Sequence, residues 1–252
     1  MLASTTFDAR QEIGLPSLII AHGLFGSGRN WGVIAKRLAD TRRVITVDMR
    51  NHGSSPWDDD HSYAALGADL GEVIALAGEC DLIGHSMGGK AAMIAALNGA
   101  PIRRLVVADI APVAYGHTQA GMIDAMEGLD LVAISNRAEA DAALADQIDD
   151  PSVRAFLLQS LDIPNKSWKL NLRALRDQMP AIIGFPPVTT TFPNPTLFLS
   201  GALSDYVLPE ARPTIKSLFP KARFAKIPGA GHWVHAEKPR EFEAAVRVFL
   251  DA

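Results

Sequence analysis

Residues 81–93 read DLIGHSMGGKAAM, a stretch that admits two chemistries. Spaced as Gly84-x-x-x-x-Gly89-Lys90, it approaches a phosphate-cradling loop, in which the lysine reaches terminal phosphates and the next residue holds magnesium through a hydroxyl. That next residue is Ala91, which has no hydroxyl to offer. Spaced as Gly84-x-Ser86-x-Gly88, the stretch is a nucleophile elbow. Such an elbow turns a strand sharply into a helix and holds a serine hydroxyl clear above the sheet, with small residues two before and two after so that neighbouring backbone can pass. This second reading uses every residue: the strand DLIGH leads into Ser86, the helix MGGKAAMIAAL leads away, and Lys90 is left as a surface or helix-packing side chain. The bland alternative is a tight strand-to-helix turn with an idle serine.

A serine hydroxyl is a weak nucleophile at neutral pH and needs a base, an orienting carboxylate and donors for the developing oxyanion. His232, in GAGHWVHAEKP, lies between the last apolar strand and the final helix, where the base belongs. His235 falls at the start of that helix and reads as a polar residue near its N-terminus. As a zinc pair, His232-x-x-His235 lacks both cysteines and the helical i, i+4 spacing. Two carboxylates compete for the third place: Asp109 ends LVVAD, and Asp205 sits in SGALSDYV just past the next strand. Neighbouring strands bring both to one sheet edge, and each has a dull alternative as a chain-entry cap or a turn residue. The oxyanion donors expected are the backbone N–H of Met87, at the elbow helix N-terminus, and that of Leu24 in AHGLFGSGRNW. Gly23 permits close approach there, and His22 braces the loop. Phe25 and Trp168 are the candidates for substrate contact, whereas Trp31 reads as packing and Arg50, Asn51 and His52 as residues that fix their own loop.

These side chains must be presented by a sheet. Short apolar runs at 17–22, 43–49, 80–85, 103–111, 195–201 and 222–229 are continuous rather than alternating, as in parallel strands buried on both faces. Helical patterns at 31–39, 62–78, 87–98, 208–219 and 236–250 fall between them; in the second, Leu66, Leu70, Val73, Ile74 and Ala77 make one apolar stripe. The alternation predicts a doubly wound, mostly parallel α/β sheet. Residues 112–190 break the rhythm with helical stretches, no convincing strand, and closing turns GFPPV and FPNP. The expectation is a core domain of residues 1–111 and 191–252 carrying residues 112–190 as a helical lid.

The bulk numbers exclude several classes. A hydrophobic content of 48% with 21% charged residues is that of a globular chain, and a net charge of −4 gives no attraction for nucleic acid. Asp58-Asp59-Asp60 lacks the spacing of a calcium loop. With one cysteine, Cys80, no intrachain disulfide forms, which fits a reducing compartment. The N-terminal segment has no signal-peptide pattern and no run of 18 apolar residues exists, so the chain is expected in the cytoplasm with no membrane span.

Taken together, HGLFGSGRNW, VDMRNHGSSPW, LIGHSMGGKA, VVADIAPV and GAGHWVHAEKP resemble the α/β-hydrolase superfamily, and within it the YbfF-type esterase subgroup and its mitochondrial abhydrolase relatives. The resemblance runs from about Ser17 to Leu250; DMRNHG marks the subgroup, since Gly often replaces Asn51 elsewhere. It implies a serine esterase or thioesterase acting on acyl substrates through an acyl-enzyme, with no metal and no organic cofactor. For the acid, the wider superfamily implies Asp205 and the subgroup implies Asp109; the subgroup resemblance favours Asp109, with Asp205 as the alternative. Two other functions stay open: hydrolysis of a carbon–carbon bond in a diketone by the same triad, and a non-catalytic binding protein on this fold. Dehalogenase and epoxide hydrolase chemistry fail, because their elbow nucleophile is aspartate.

Overall fold

The computed structural model describes residues 1–252. Nine strands and eleven helices alternate along the chain. The first part runs β1 (Ser4–Phe7), β2 (Ser17–Ala21), α1 (Gly32–Leu38), β3 (Val44–Val47), α2 (Tyr63–Ala77), β4 (Cys80–His85), α3 (Met87–Leu97) and β5 (Ile102–Ala108). Next come α4 (Ala120–Glu127), α5 (Arg137–Leu144), α6 (Pro151–Leu157), β6 (Leu161–Asp162), β7 (Ser167–Trp168), α7 (Leu172–Asp177) and α8 (Met179–Ile183). The last part is β8 (Thr196–Gly201), α9 (Arg212–Leu218), β9 (Ala222–Ile227), α10 (Val234–Glu237) and α11 (Pro239–Leu250).

Seven strands form one sheet in the order β1-β3-β2-β4-β5-β8-β9, parallel throughout except for β1. The doubly wound sheet expected from the apolar runs is therefore present. Successive residues point to opposite faces: Ile19, Ile45, Leu82 and Val107 pack under α2 and α3, while Leu18, Ile20, Ile83 and Val106 pack under α1 and α11. Ser62 caps α2 by accepting the Ala65 N–H. In α11 the stripe Phe242, Val246, Phe249 and Leu250 is buried at i, i+4, i+7 and i+8.

Strand order reverses between β2 and β4, so the loops leaving their C-terminal ends diverge and open a crevice. The loop after β2 carries Leu24 and the loop after β4 carries Ser86.

Two strand assignments escape the sequence reading. β1 is an antiparallel edge strand of four residues, STTF, with little apolar signal. Within the helical excursion, β6 and β7 make a hairpin with two residues per strand, too short to display a period. A hydrophobic cluster of 18 buried residues is drawn from the excursion except for Phe25, which enters it from the loop after β2. Its later part is tied to the rest of the chain by Gly53 N–H to Lys169 O (2.8 Å), Asn171 N–H to Asn51 O (3.0 Å) and Ser160 Oγ–H to Phe25 O (3.0 Å). Its start is held chiefly at Tyr115, whose N–H donates to Ile183 O at 3.0 Å, whose hydroxyl oxygen accepts the Ala111 N–H at 2.9 Å, and whose O–H donates to Tyr206 O at 2.7 Å.

No helix is long and apolar enough to cross a membrane.

Candidate active site

Ser86 sits between β4 and α3 at φ 51°, ψ −121°, a backbone state that costs a non-glycine residue about 1–3 kcal/mol and survives only where packing imposes it. The imposition is visible at the flanking glycines. A Cβ on Gly84 would come within 2.3 Å of Gly88 O, and one on Gly88 within 2.3 Å of His22 O. No side chain fits at either position, and the turn is as tight as the elbow requires.

His232, in the loop between β9 and α10, brings Nε2 to 3.1 Å from Ser86 Oγ and donates Nδ1–H to Asp109 Oδ2 at 2.7 Å. Asp109 follows β5 at φ 51°, a left-handed conformation that Asp tolerates better than most residues. It is fully buried, and its two oxygens also accept the Gly201 N–H (3.0 Å) and the Ser204 hydroxyl. Asp205 is exposed and makes no hydrogen bond; the chain after β8 sends Ser204 inward instead. The structure thus brings Ser86, His232 and Asp109 into one hydrogen-bonded line and leaves Asp205 outside it. His235 also stays out: it is buried with its ring stacked on Trp31 at 3.9 Å, its Nδ1 has no partner, and burial lowers it to about 3.

The loop after β2 is held by neutral histidines whose partners fix their tautomers. His22 Nε2 accepts the Met49 N–H (2.9 Å), so Nδ1–H donates to Gly23 O (2.7 Å). His52 Nε2 accepts the Phe25 N–H (3.1 Å), so Nδ1–H donates to Arg50 O (2.8 Å). With the Phe25 N–H taken by His52, the neighbouring Leu24 N–H has no partner within the protein. Met87, the first residue of α3, has its N–H at the helix end where no preceding turn can accept it. His61 accepts from Asn51 Nδ2 and directs its Nε2–H at Met87 Sδ, 3.2 Å away. Burial lowers His22 to about 4 and His52 and His61 to about 3, so all three are neutral at pH 7.

Asn51, left-handed at φ 66°, spends its whole amide: Nδ2 donates to Asp58 O and His61 Nδ1, and Oδ1 accepts from Asp58 N–H and Asn171 Nδ2. The expected loop-fixing role of residues 50–52 thus extends across to residue 171 of the excursion.

Above Ser86 lies a cavity of about 210 Å³ whose apolar walls include Phe25, Tyr63, Met122, Phe156, Ile182 and Ile183. Phe25 therefore borders it, but Trp168 does not. The Trp168 ring is buried in the excursion's own cluster and its Nε1–H donates to Met126 O at 3.0 Å, so its role is packing. Tyr206 is a neighbour with no signal in the sequence: its ring stacks on His232 at 4.1 Å, and its hydroxyl lies 2.8 Å from His117 Nε2 at the mouth. Of the two places expected for Lys90, the surface is ruled out: it is 1% exposed and packs against the end of α8. The clue was its setting, because α3 is apolar all round and such a helix is buried on every side.

Residues 18–245 match the model of the alpha/beta hydrolase family. The chain belongs to that family. Among relatives of this hydrolase, mouse sn-1-specific diacylglycerol lipase ABHD11 is 42% identical over 249 residues, covering 94% of this chain and 81% of the relative. Esterase YbfF of Escherichia coli K12 is 39% identical over 238 residues, 93% of this chain and 92% of the relative. A solved structure, a marine microorganism esterase, superposes with a TM-score of 0.91 at 37% identity and 98% coverage of both chains. With these relatives the hydrolase falls beside the YbfF-type esterases and is a carboxylic ester hydrolase.

Proposed function

We propose that this hydrolase cleaves acyl esters, and thioesters by the same route, through an acyl-enzyme on Ser86. His232 Nε2 takes the hydroxyl proton as Ser86 Oγ attacks the acyl carbon, and returns it to the alcohol or thiol as the carbon–oxygen or carbon–sulfur bond breaks. A water then gives a proton to the same nitrogen and attacks the acyl carbon, and Ser86 Oγ leaves with that proton. Asp109 keeps Nδ1 protonated and stabilises the imidazolium formed in each half-reaction. The N–H groups of Leu24 and Met87 receive the oxyanion, and one such donor contributes about 2.7–4 kcal/mol to the transition state. Residues 112–190 act as the lid, supplying Met122, Phe156, Ile182 and Ile183 to the acyl cavity.

The observation that carries this reading is the unbroken line from Ser86 Oγ through His232 to Asp109, at 3.1 and 2.7 Å, beneath an apolar cavity. The mouse relative's name makes a neutral diacylglycerol a rational member of the substrate panel. The test is turnover of p-nitrophenyl esters, a diacylglycerol and an acyl thioester by wild type and Ser86→Ala, with fluorophosphonate labelling located by mass spectrometry. The expected result is an adduct on Ser86 and a loss of at least about 10⁴-fold in S86A on every substrate turned over. If S86A keeps its rate on one class, that bond is broken elsewhere and the assignment fails for it.

A further inference from the structure

Lys90 belongs to the opening motif and has no task in this chemistry. It lies one turn after the nucleophile, its N–H donating to Ser86 O at 3.0 Å. Its side chain runs inward instead of to solvent and meets no carboxylate. Nζ donates to two main-chain oxygens, Ile183 O at 3.0 Å and Gly184 O at 2.5 Å, and stands 4.6 Å from the centre of the Tyr115 ring. A buried ammonium with no counter-ion is expensive, and Met or Leu would fill α3 at that position with less penalty. What the amine obtains there is specific.

The carbonyls at 182, 183 and 184 end α8 and have no helical partners of their own. Each is received by a different part of the molecule. Tyr63 O–H, from α2, donates to Ile182 O at 2.7 Å; Tyr115 N–H, from the segment between β5 and α4, donates to Ile183 O; Lys90, from α3, donates to Ile183 O and Gly184 O. The side chains of Ile182 and Ile183 meanwhile form one wall of the cavity over Ser86. One short segment is therefore both a wall of the acyl cavity and a terminus held by the helix that carries the nucleophile.

We infer that Lys90 is a positioning residue that fixes the Ile182–Ile183 wall relative to Ser86 and thereby sets which acyl lengths the cavity accepts. This rests on the reading of that cavity as the acyl site. Burial lowers the Lys90 amine to about 7. The titratable groups facing it are the hydroxyls of Tyr63 and Tyr115, both pushed up by burial and hence uncharged throughout the neutral range. The charge-assisted bonds to residues 183 and 184 are accordingly strongest below pH 7 and weaken as the amine loses its proton above it.

The measurement is kcat/KM for a short and a long p-nitrophenyl ester across pH 6–9 in wild type, Lys90→Met, Tyr63→Phe and Ser86→Ala. The ratio of the two substrates at each pH cancels whatever pH dependence the chemical steps common to both carry. The wild-type ratio is expected to change by at least about 3-fold between pH 6 and 8, a differential of about 0.6 kcal/mol. In K90M the ratio is displaced by about 10-fold and becomes flat with pH, while fluorophosphonate labelling of Ser86 persists. Tyr63→Phe, which removes only the donor to Ile182, moves the ratio in the same direction by less and keeps its pH dependence. Should K90M fail to fold, the wild-type profile and Y63F decide the matter without it. A pH-independent wild-type ratio together with unchanged ratios in the variants overturns the inference alone. Activity retained in S86A overturns the proposed function, so the two failures are told apart.

Discussion

The floor and the roof of the cavity are built by different means. On the floor, Ser86, Asp109 and the loop bearing Leu24 leave neighbouring parallel strands at the switch point of the sheet, and each is over-determined. Ser86 is trapped between glycines that exclude a Cβ, Asp109 holds three hydrogen bonds, and the Leu24 loop is wedged between His22 and His52. In the roof, helices of five to eight residues gain their positions from a shared apolar cluster and a few backbone ties. The difference separates two tasks. Under the proposed function the floor would hold the reacting atoms to within a hydrogen-bond length, whereas the roof would need only to enclose an acyl chain of a given size.

The largest effect that would break this contrast is at the acid. Asp109→Asn is expected to lower kcat by about 10³–10⁴-fold, and Asp205→Asn by less than about 2-fold, in steady-state ester hydrolysis. Comparable losses in both would show that the floor is less fixed than its hydrogen bonds imply. Next in size is a change within the roof that leaves chemistry alone. Trp168→Ala, deleting a ring buried away from the cavity, should cost about 3–5 kcal/mol in denaturant unfolding and leave acyl-length preference as in wild type. Phe156→Ala, at the half-buried wall, should do the reverse. A preference altered by W168A and untouched by F156A would undo the assignment of lining residues.

Smaller again is the bracing of the loop that carries Leu24, one of the two proposed oxyanion donors. His52→Ala is expected to reduce kcat by about 10–100-fold with KM changed less than about 3-fold, because the oxyanion exists only in the transition state. A rise in KM at constant kcat would place His52 in substrate binding. The gentlest probe is pH. His22, His52, His61 and His235 are neutral in the folded protein down to about 4, 3, 3 and 3, while in the unfolded chain they take up protons near 6.5. Their folded values are depressed, so the unfolded state binds the extra protons and stability falls as pH drops from about 6.5 toward 4. Each contributes on the order of 1 kcal/mol per pH unit over that window. Urea midpoints measured from pH 7 to 5 should decline progressively, and a midpoint that stays flat over that range would mean the rings are not held neutral.

Legibility in the sequence follows the same division. Ser86 and Met87 on the elbow, and Leu24 in the loop after β2, can be nominated from the sequence because each motif is a local device, and His232 because it lies in the loop between the last strand and the final helices. Asp109 and Asp205 are equivalent in the chain, and what separates them is a contact between loops: Ser204 and Gly201 face the Asp109 carboxylate while Asp205 turns to solvent. Trp168 is misjudged for a related reason. An aromatic residue in the excursion can face the cavity or the excursion's own cluster, and that choice is made by Met126, 42 residues away. Tyr206 and His61 carry no local signal, since each acquires its role through a partner on another segment.

Tyr115 has a mechanical meaning. A single stretch, residues 110–119, joins Asp109 to the excursion's first helix, so a swing of that helix would, on an unbuffered chain, be delivered as torque to the carboxylate. The Tyr115 hydroxyl takes the Ala111 N–H on one side and binds Tyr206 O on the other, fastening the exit of β5 to the chain beyond β8. Such a clamp would act as a strain relief on a cable: any displacement of residues 116–122 would end at Tyr115 before it reached Asp109 and His232.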